Sequence, residues 1–173
     1  MKHLWKGLTL FFSALVMTGC LGKPENVEPV QDFELDRYLG KWYEIARLDH
    51  SFERGLDGVT AEYSMRGDGG VKVVNRGIDI ETGQLDEAVG KAYFVNSADE
   101  AFLKVSFFGP FYGSYIVWDL EENYQYAFVS GPDLDYLWLL SRTPDIAPEV
   151  VVDFQRKAEA IGFDVSQLIY VNH

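Results

Sequence analysis

The stretch Gly40-Lys41-Trp42-Tyr43-Glu44-Ile45-Ala46 decides the fold, because it opens a series of short runs rich in aromatic and β-branched residues. Such runs are typical of β-strands. The runs cover approximately residues 41–48, 59–66, 71–79, 86–95, 102–108, 113–120, 124–130 and 136–142. Turn residues such as Gly67-Asp68-Gly69-Gly70 separate them. Short turns pair each strand with its neighbour in sequence, which predicts an antiparallel up-and-down meander.

A meander of eight strands has two exposed edges, and closure into a β-barrel removes both of them. A barrel of this size has room for one small ligand. After the last long run, helical spacing appears at Val151, Phe154, Ala158 and Ile161. Pro148 suits the first turn of a helix, and Gly162 suits the position just past its end. We therefore predict an all-β fold: an eight-stranded barrel with one C-terminal α-helix packed outside, followed by a brief strand over 168–171.

The first nineteen residues have the layout of a secretory signal peptide, with a basic start, a short apolar stretch and then small residues. The following Met17-Thr18-Gly19-Cys20 resembles the bacterial lipobox, in which the cysteine is acylated and becomes the mature N-terminus. Cys20 is the only cysteine, so it has no partner for an intramolecular disulfide. We interpret Cys20 as a lipid anchor; the alternative is an unpaired cysteine in an exported protein.

Several acyl chains on Cys20 would hold the protein stably on a membrane. Leu21 stands where the lipoprotein resemblance would place Asp for retention in the inner membrane, so we expect the outer membrane, at its periplasmic face. With Cys20, residues 20–34 form the lipidated N-terminus and a polar segment that contains two prolines. We predict an extended tether that reaches at most about 45 Å and lets the domain, residues 35–173, stand off the membrane.

The charge balance is strongly acidic and limits the partners. The net charge is −12, and loss of residues 1–19 removes two lysines and no acidic residue, which leaves −14 on the mature chain. Such a charge argues against a nucleic-acid partner. The remaining 154 residues suffice for one domain with a substantial core.

Strand alternation predicts which side chains face the barrel interior. If Lys104 and Ser106 face outward, Leu103, Val105 and Phe107 face inward; if Lys91 faces outward, Gly90, Ala92 and Phe94 face inward. On the other strands apolar and charged residues alternate less clearly. There we expect an interior position for Ala61, Tyr63, Tyr115, Val117, Tyr126, Phe128 and Trp138. Interior aromatics near the closed end would fill the core, and those nearer the mouth could touch a ligand. Polar candidates for contact with a ligand head group are Glu44, Asn75, Arg54 and Arg76.

The longest predicted loop, residues 50–58, lies between the first two strands and contains Phe52 and Leu56. It is either a lid over one mouth or an ordinary surface loop. His50 in this loop is the candidate for a catalytic base, with Ser106 or Ser141 as nucleophile, or for a haem ligand. The sequence contains no nucleophile elbow, zinc motif, phosphate loop or dinucleotide fingerprint. We predict no catalytic residue and no cofactor.

Metal binding is the other chemistry to weigh. The acidic residues at two predicted turns could hold calcium or could simply be solvated: Glu121, Glu122, Asp133 and Asp135. We interpret them as solvated turns and predict no metal site.

Three segments together resemble the signatures of the lipocalin family: the opening stretch at Gly40, residues 119–124 loosely, and residues 137–144. The similarity is strongest to bacterial outer-membrane lipocalins, through the motifs that begin at Trp42, Gly90, Lys104 and Asp135. It covers residues 33–173. In this family the motif tryptophan lies at the closed end and the motif arginine packs across it. The resemblance therefore implies a structural cation–π contact between Trp42 and Arg142, with Gly40 as a further structural residue of the motif.

The resemblance implies binding of a fatty acid or a lysophospholipid, with storage or transport of that lipid in envelope maintenance, as a monomer or a homodimer. An alternative is a structural or protein-interaction barrel of the envelope, filled by its aromatic side chains. A lipid-modifying enzyme is a third interpretation.

Overall fold

The computed structural model describes residues 21–173; the predicted signal peptide and Cys20 lie outside this range. A short helix α1 (Leu35–Tyr38) precedes the first strand. The barrel strands are β1 (Gly40–Leu48), β2 (Leu56–Met65), β3 (Val71–Asp79), β4 (Leu85–Phe94), β5 (Phe102–Ser106), β6 (Gly113–Leu120), β7 (Tyr126–Ser130) and β8 (Leu137–Ser141). Helix α2 (Pro148–Ile161), a 3₁₀ turn (Val165–Gln167) and β9 (Leu168–Tyr170) follow.

The strands form one antiparallel sheet in the order β2-β3-β4-β5-β6-β7-β8-β1-β9, and a further pairing of β1 with β2 closes the barrel. Strand β1 reaches β2 through Gly40–Tyr43. From Ala46 onward, the edge of β1 that faced β2 pairs with β9. The opposite edge pairs with β8 throughout, with one irregularity between Glu44 and Ala46. The predicted eight-stranded up-and-down barrel, its brief final strand and its C-terminal helix are confirmed.

Helix α2 begins and ends where its sequence predicts. Pro148 occupies the first turn, where its missing N–H costs no hydrogen bond, and Gly162 ends the helix in a left-handed conformation with φ of 116°. Phe154 and Ala158 are fully buried against the outer wall of the barrel. Within residues 21–173, no helix combines the length and the apolar character needed to cross a membrane.

Two hydrophobic clusters lie on either side of the barrel wall, one inside the barrel and one beneath α2. Tyr126 and Phe128 belong to the outer cluster, and the ring of Phe128 packs 5.0 Å from that of Phe154. The prediction that these two side chains face the interior is therefore wrong. Ala127 and Val129 take the interior positions on β7. Because α2 covers this strand, both of its faces are buried and no charged residue marks the outside.

Residues 21–34 lie along the barrel wall, which corrects the predicted tether. Val27 is fully buried, and Val30 donates its N–H to the Val117 carbonyl at 2.9 Å. Near the start of the segment, Ser114 donates its hydroxyl to the Gly22 carbonyl at 2.5 Å. The apolar side chains that alternate with the prolines and charges explain why this segment docks. From Leu21 onward the chain is therefore docked on the barrel, and it does not form a free linker between the domain and its N-terminus.

Candidate ligand cavity

The closed end of the barrel is sealed by the tryptophan and arginine of the sequence motifs. The Arg142 guanidinium carbon lies 3.9 Å from the centroid of the Trp42 ring, in the cation–π contact that the family resemblance predicts. Arg142 also donates to the carbonyls of Arg37 at 2.7 Å and Lys41 at 3.0 Å. Gly40 adopts φ of 95°, and a Cβ there would lie 3.4 Å from Arg142. These contacts are structural and leave the opposite end to function.

Above this seal the barrel encloses a cavity of about 440 Å³ that opens at the end formed by loops 49–55, 107–112 and 131–136. This volume lies in the usual range of about 300–1,000 Å³ for small-molecule sites. The wall is mostly apolar. An interior filled by aromatic side chains, the alternative drawn from the sequence, does not match this cavity.

The structure places most of the predicted interior residues on the cavity wall: Ala61, Tyr63, Ala92, Leu103, Val105, Phe107, Tyr115 and Trp138. Phe94 and Val117 lie in the interior cluster without lining the cavity. Gly90 also faces inward, where a Cβ would come within 2.8 Å of the Phe107 ring. Ser106 is buried and lies among the residues around the cavity, although its pairing with Lys91 keeps it on the predicted outward face of the strand.

Sequence reasoning missed several wall residues. Phe33 and Tyr38 reach the floor from the chain before β1 and from α1. Val71 and Val73 line the wall from β3. Exposed Lys72 between them gives the same alternation signal that Lys104 gives on β5, and this signal could have identified both valines.

Three buried tyrosines join their hydroxyls across the cavity. The Tyr115 hydroxyl lies 2.7 Å from that of Tyr38 and 2.8 Å from that of Tyr63. Burial raises the pKa of all three above the ordinary value, so they stay neutral. A chain of three hydroxyls has three protons and uses two of them in its own hydrogen bonds, so one O–H remains as a donor toward an acceptor.

A buried charged cluster holds the β1–β2 loop against the mouth. Arg47 donates to the Glu44 carboxylate at 2.7 Å and to the backbone carbonyls of Glu53 and Leu56, each at 3.0 Å. The Glu53 carboxylate accepts the indole N–H of Trp138 at 3.0 Å and lies 2.9 Å from His50. The β1–β2 loop is thus held at the mouth, with Phe52 on the cavity lining.

The two carboxyls of this cluster have opposite pKa shifts. Burial, together with the neighbouring Glu53, raises the pKa of Glu44 well above 4.5. Burial would also raise the pKa of Glu53, but hydrogen bonding from His50 and Trp138 outweighs it and lowers that pKa. Burial and the neighbouring Glu53 therefore favour the protonated form of Glu44, whereas His50 and Trp138 favour the ionised form of Glu53.

The head-group candidates divide between the cavity and the outer surface. Glu44 and Asn75 line the cavity, and the Asn75 side-chain oxygen is buried without a hydrogen-bond partner, as is the Ser106 hydroxyl. Arg54 lies on the mouth loop, where it pairs with Asp49 at 2.8 Å. The expectation that Arg76 reaches a ligand head group is wrong, because Arg76 pairs with Glu62 and Glu87. Arg76 follows Asn75 on β3, so it points to the other face.

The residues considered for catalysis or for metal binding do not come together in the structure. Ser141 lies at the closed end, bonded to Thr143, far along β8 from the mouth loop that carries His50. The Ser106 hydroxyl makes no hydrogen bond to His50. The acidic turns fall at opposite ends, residues 121–122 near the closed end and residues 133–135 at the mouth. In the described part of the chain no group of three potential metal ligands comes together.

Comparison with known proteins agrees with this architecture. A family model for the lipocalin-like domain matches residues 33–173, so the chain belongs to the lipocalin family. The "outer membrane lipoprotein Blc" of Vibrio cholerae is 59% identical over 167 residues, covering 96% of this chain and 98% of the relative. The Escherichia coli K12 protein of that name is 54% identical over 86% of this chain and 84% of its own.

The solved structure of insecticyanin from Manduca sexta, 22% identical, matches with a TM-score of 0.70 over 88% of this chain and 87% of the other, and it supports the fold. The family resemblance drawn from the sequence is confirmed. The names of the bacterial relatives also agree with the predicted location, lipid-anchored at the outer membrane.

Proposed function

We propose that this protein is a lipid-anchored outer-membrane lipocalin that binds a fatty acid or a lysophospholipid and stores or carries it without chemical turnover, in maintenance of the envelope. The observation that supports this function is the apolar cavity of about 440 Å³, sealed below by Trp42 and Arg142 and open at the mouth. Burial of an acyl chain contributes roughly 25 cal/mol per Å² before the costs of association.

Polar groups in the cavity suit a ligand with one polar end. Asn75 lies on the wall, its side-chain oxygen has no hydrogen-bond partner, and a rotation of the side chain would present the amide to a head group. The free donor of the tyrosine chain offers a second contact, to an ester or carboxyl oxygen. The carboxylate of Glu53, whose pKa is lowered, disfavours an ionised fatty-acid carboxylate beside it and favours a zwitterionic head group.

A titration of the mature protein with palmitate and with a lysophospholipid, followed by melting temperature, tests ligand binding. A saturating ligand should stabilise the fold by about 2.7 kcal/mol at one hundred times Kd. Ala61→Phe, which projects a ring into the cavity, should weaken binding, whereas Ala160→Phe on the exposed face of α2 should not. No stabilisation by either lipid, with the barrel folded, would refute the proposal.

The anchor is tested separately from the cavity. Cells supplied with labelled palmitate should incorporate it into this protein, and the mature protein should fractionate with the outer membrane. Cys20→Ala should abolish both the label and the membrane fraction. Label that persists in Cys20→Ala would show that the acyl chains are elsewhere.

A further inference from the structure

The open end of the barrel carries an exposed apolar rim. The up-and-down order of the strands places loop 80–84 at this end too, beside the three loops that surround the mouth, and we count it among the mouth loops. The exposed side chains come from loops 49–55, 80–84 and 107–112 and from the start of β4: Phe52 (63% exposed), Ile80 (67%), Leu85 (63%), Phe108 (70%) and Phe111 (78%). We call these five residues the rim. At the closed end, loops 66–70, 95–101 and 121–125 of the described chain contain no exposed large hydrophobic side chain, and in the adjoining strand ends only Met65 is one. The two ends therefore meet solvent with different chemistry.

The N-terminal segment brings the chain to this same end. The Gly22 carbonyl accepts the hydroxyl of Ser114, at the mouth end of β6, and Gly22 packs so closely on Pro132 that a Cβ would lie 2.6 Å from its carbonyl oxygen. Cys20 precedes Gly22 by two residues, which span at most about 7 Å. Acyl chains on Cys20 would thus begin beside the rim, and the docked segment prevents the barrel from moving away.

The charges around the rim identify the kind of bilayer that it fits. Acidic side chains on the mouth loops are Asp49, Glu81, Asp133 and Asp135. The basic side chains beside these acids are fewer: Arg54 is paired with Asp49, and Lys91 and Lys104 lie over the ring of Tyr112. An acidic mouth repels an anionic surface, whereas aromatic and aliphatic side chains insert readily at the head-group boundary of a bilayer.

We propose that the rim docks on the surface of a zwitterionic phospholipid bilayer, with the cavity mouth facing the lipid, so that a ligand passes between bilayer and barrel without crossing water. This inference rests on the anchor part of the proposed function and does not depend on the identity of the ligand. It assigns a role to Ile80 and Leu85, which do not line the cavity, and a second role to the three phenylalanines, which do.

Spin-label depth measurements test the docking. The lipoprotein carries a nitroxide at Phe111→Cys or, as the closed-end control, at Met65→Cys, which is also exposed, at 51%. Both proteins are reconstituted in phosphatidylethanolamine–phosphatidylcholine vesicles; acylated Cys20 does not take the label. The label at 111 should be more accessible to oxygen than to a water-soluble nickel complex, and the label at 65 should show the reverse. If the labels at 111 and 65 are both more accessible to the nickel complex while the protein stays anchored to the vesicles, the docking is overturned and the anchor is not.

A paired variant tests the consequence for ligand transfer. Ile80→Ser combined with Leu85→Ser removes two exposed aliphatic side chains of the rim that do not line the cavity, and it should leave the melting temperature unchanged. Uptake of a fluorescent lysophospholipid from the same vesicles should slow by about tenfold, with unchanged affinity for the probe in solution. Uptake at the wild-type rate would overturn the proposal. Protein that lacks acyl chains by mass spectrometry and does not float with vesicles would overturn anchor and docking together.

Discussion

Tyr115 is the centre of the hydroxyl chain in the cavity, and its removal isolates two buried groups. In Tyr115→Phe the hydroxyls of Tyr38 and Tyr63 lose the partner that each has. Leaving a buried polar group unsatisfied costs about 1–3 kcal/mol. We expect a loss of that size in the free energy of unfolding, measured with urea.

Tyr112→Phe is the matched control, because Tyr112 is a half-buried tyrosine of the mouth loop that makes no hydrogen bond through its hydroxyl within residues 21–173. Its stability should stay within about 0.5 kcal/mol of the wild type. Equal effects of the two substitutions would show that the hydroxyl chain contributes nothing to stability.

Glu44 makes stability depend on pH in a direction opposite to that of most carboxyls. Its pKa is raised by burial and by Glu53, so the folded protein holds this proton more tightly than the unfolded chain. The resulting stabilisation is complete below about pH 4.5 and is lost as the pH rises through the raised pKa. In Glu44→Gln the side chain is neutral at every pH and can still accept from Arg47. The melting temperature of the variant should therefore fall less than that of the wild type from about pH 5 to about pH 8.

Glu159→Gln, on the exposed face of α2, serves as the control and should keep the wild-type pH profile. If Glu44→Gln keeps it too, the proton on Glu44 does not contribute, and the raised pKa is incorrect. Glu53, whose pKa is lowered, acts in the opposite direction and loses its stabilisation as the pH falls.

At the scale of elements, α2 supports the barrel from outside and is separated from the cavity by the wall. Phe154 is fully buried against Phe128, so Phe154→Ala should cost about 3–5 kcal/mol of unfolding free energy. Because neither ring lines the cavity, the Kd for a bound lipid should not change. Val152→Ala, at a position 62% exposed, is the control for helix propensity. A shifted Kd in Phe154→Ala would mean that the wall transmits helix packing to the cavity.

The same elements show which parts of the site the sequence can predict. On β4 and β5, Lys91 and Lys104 mark the outer face, and alternation then identifies Ala92 and Val105 as wall residues. On β7 the method failed with Phe128, since a helix covers the outer face and apolar residues occupy both sides. Sequence periodicity reports burial, and it cannot distinguish an interior surface from an exterior one that another element covers.

At the scale of the whole molecule, residues 21–34 belong to the folded domain. Their composition, with two prolines and several charges, predicted a solvated tether. Composition could not show that Val27 is fully buried in the hydrophobic cluster on the outside of the barrel wall. Val27→Ala removes two buried methyl groups and should cost about 2 kcal/mol of unfolding free energy. Glu25→Ala, exposed in the same segment, is the control. A neutral result for Val27→Ala, in denaturant unfolding, would mean that the segment is only loosely attached.

Strand β1 has a consequence for how the chain folds after export. It is the first barrel strand to be synthesised, yet it needs partners from the far end of the chain, with Tyr43 opposite Ser141 and Ala46 opposite Tyr170. Pairing between such distant residues slows folding, since a long loop must close before any contact rewards it. The nascent barrel therefore stays open until its last strands arrive, and during that interval the future cavity wall is exposed to the periplasmic chaperones and proteases.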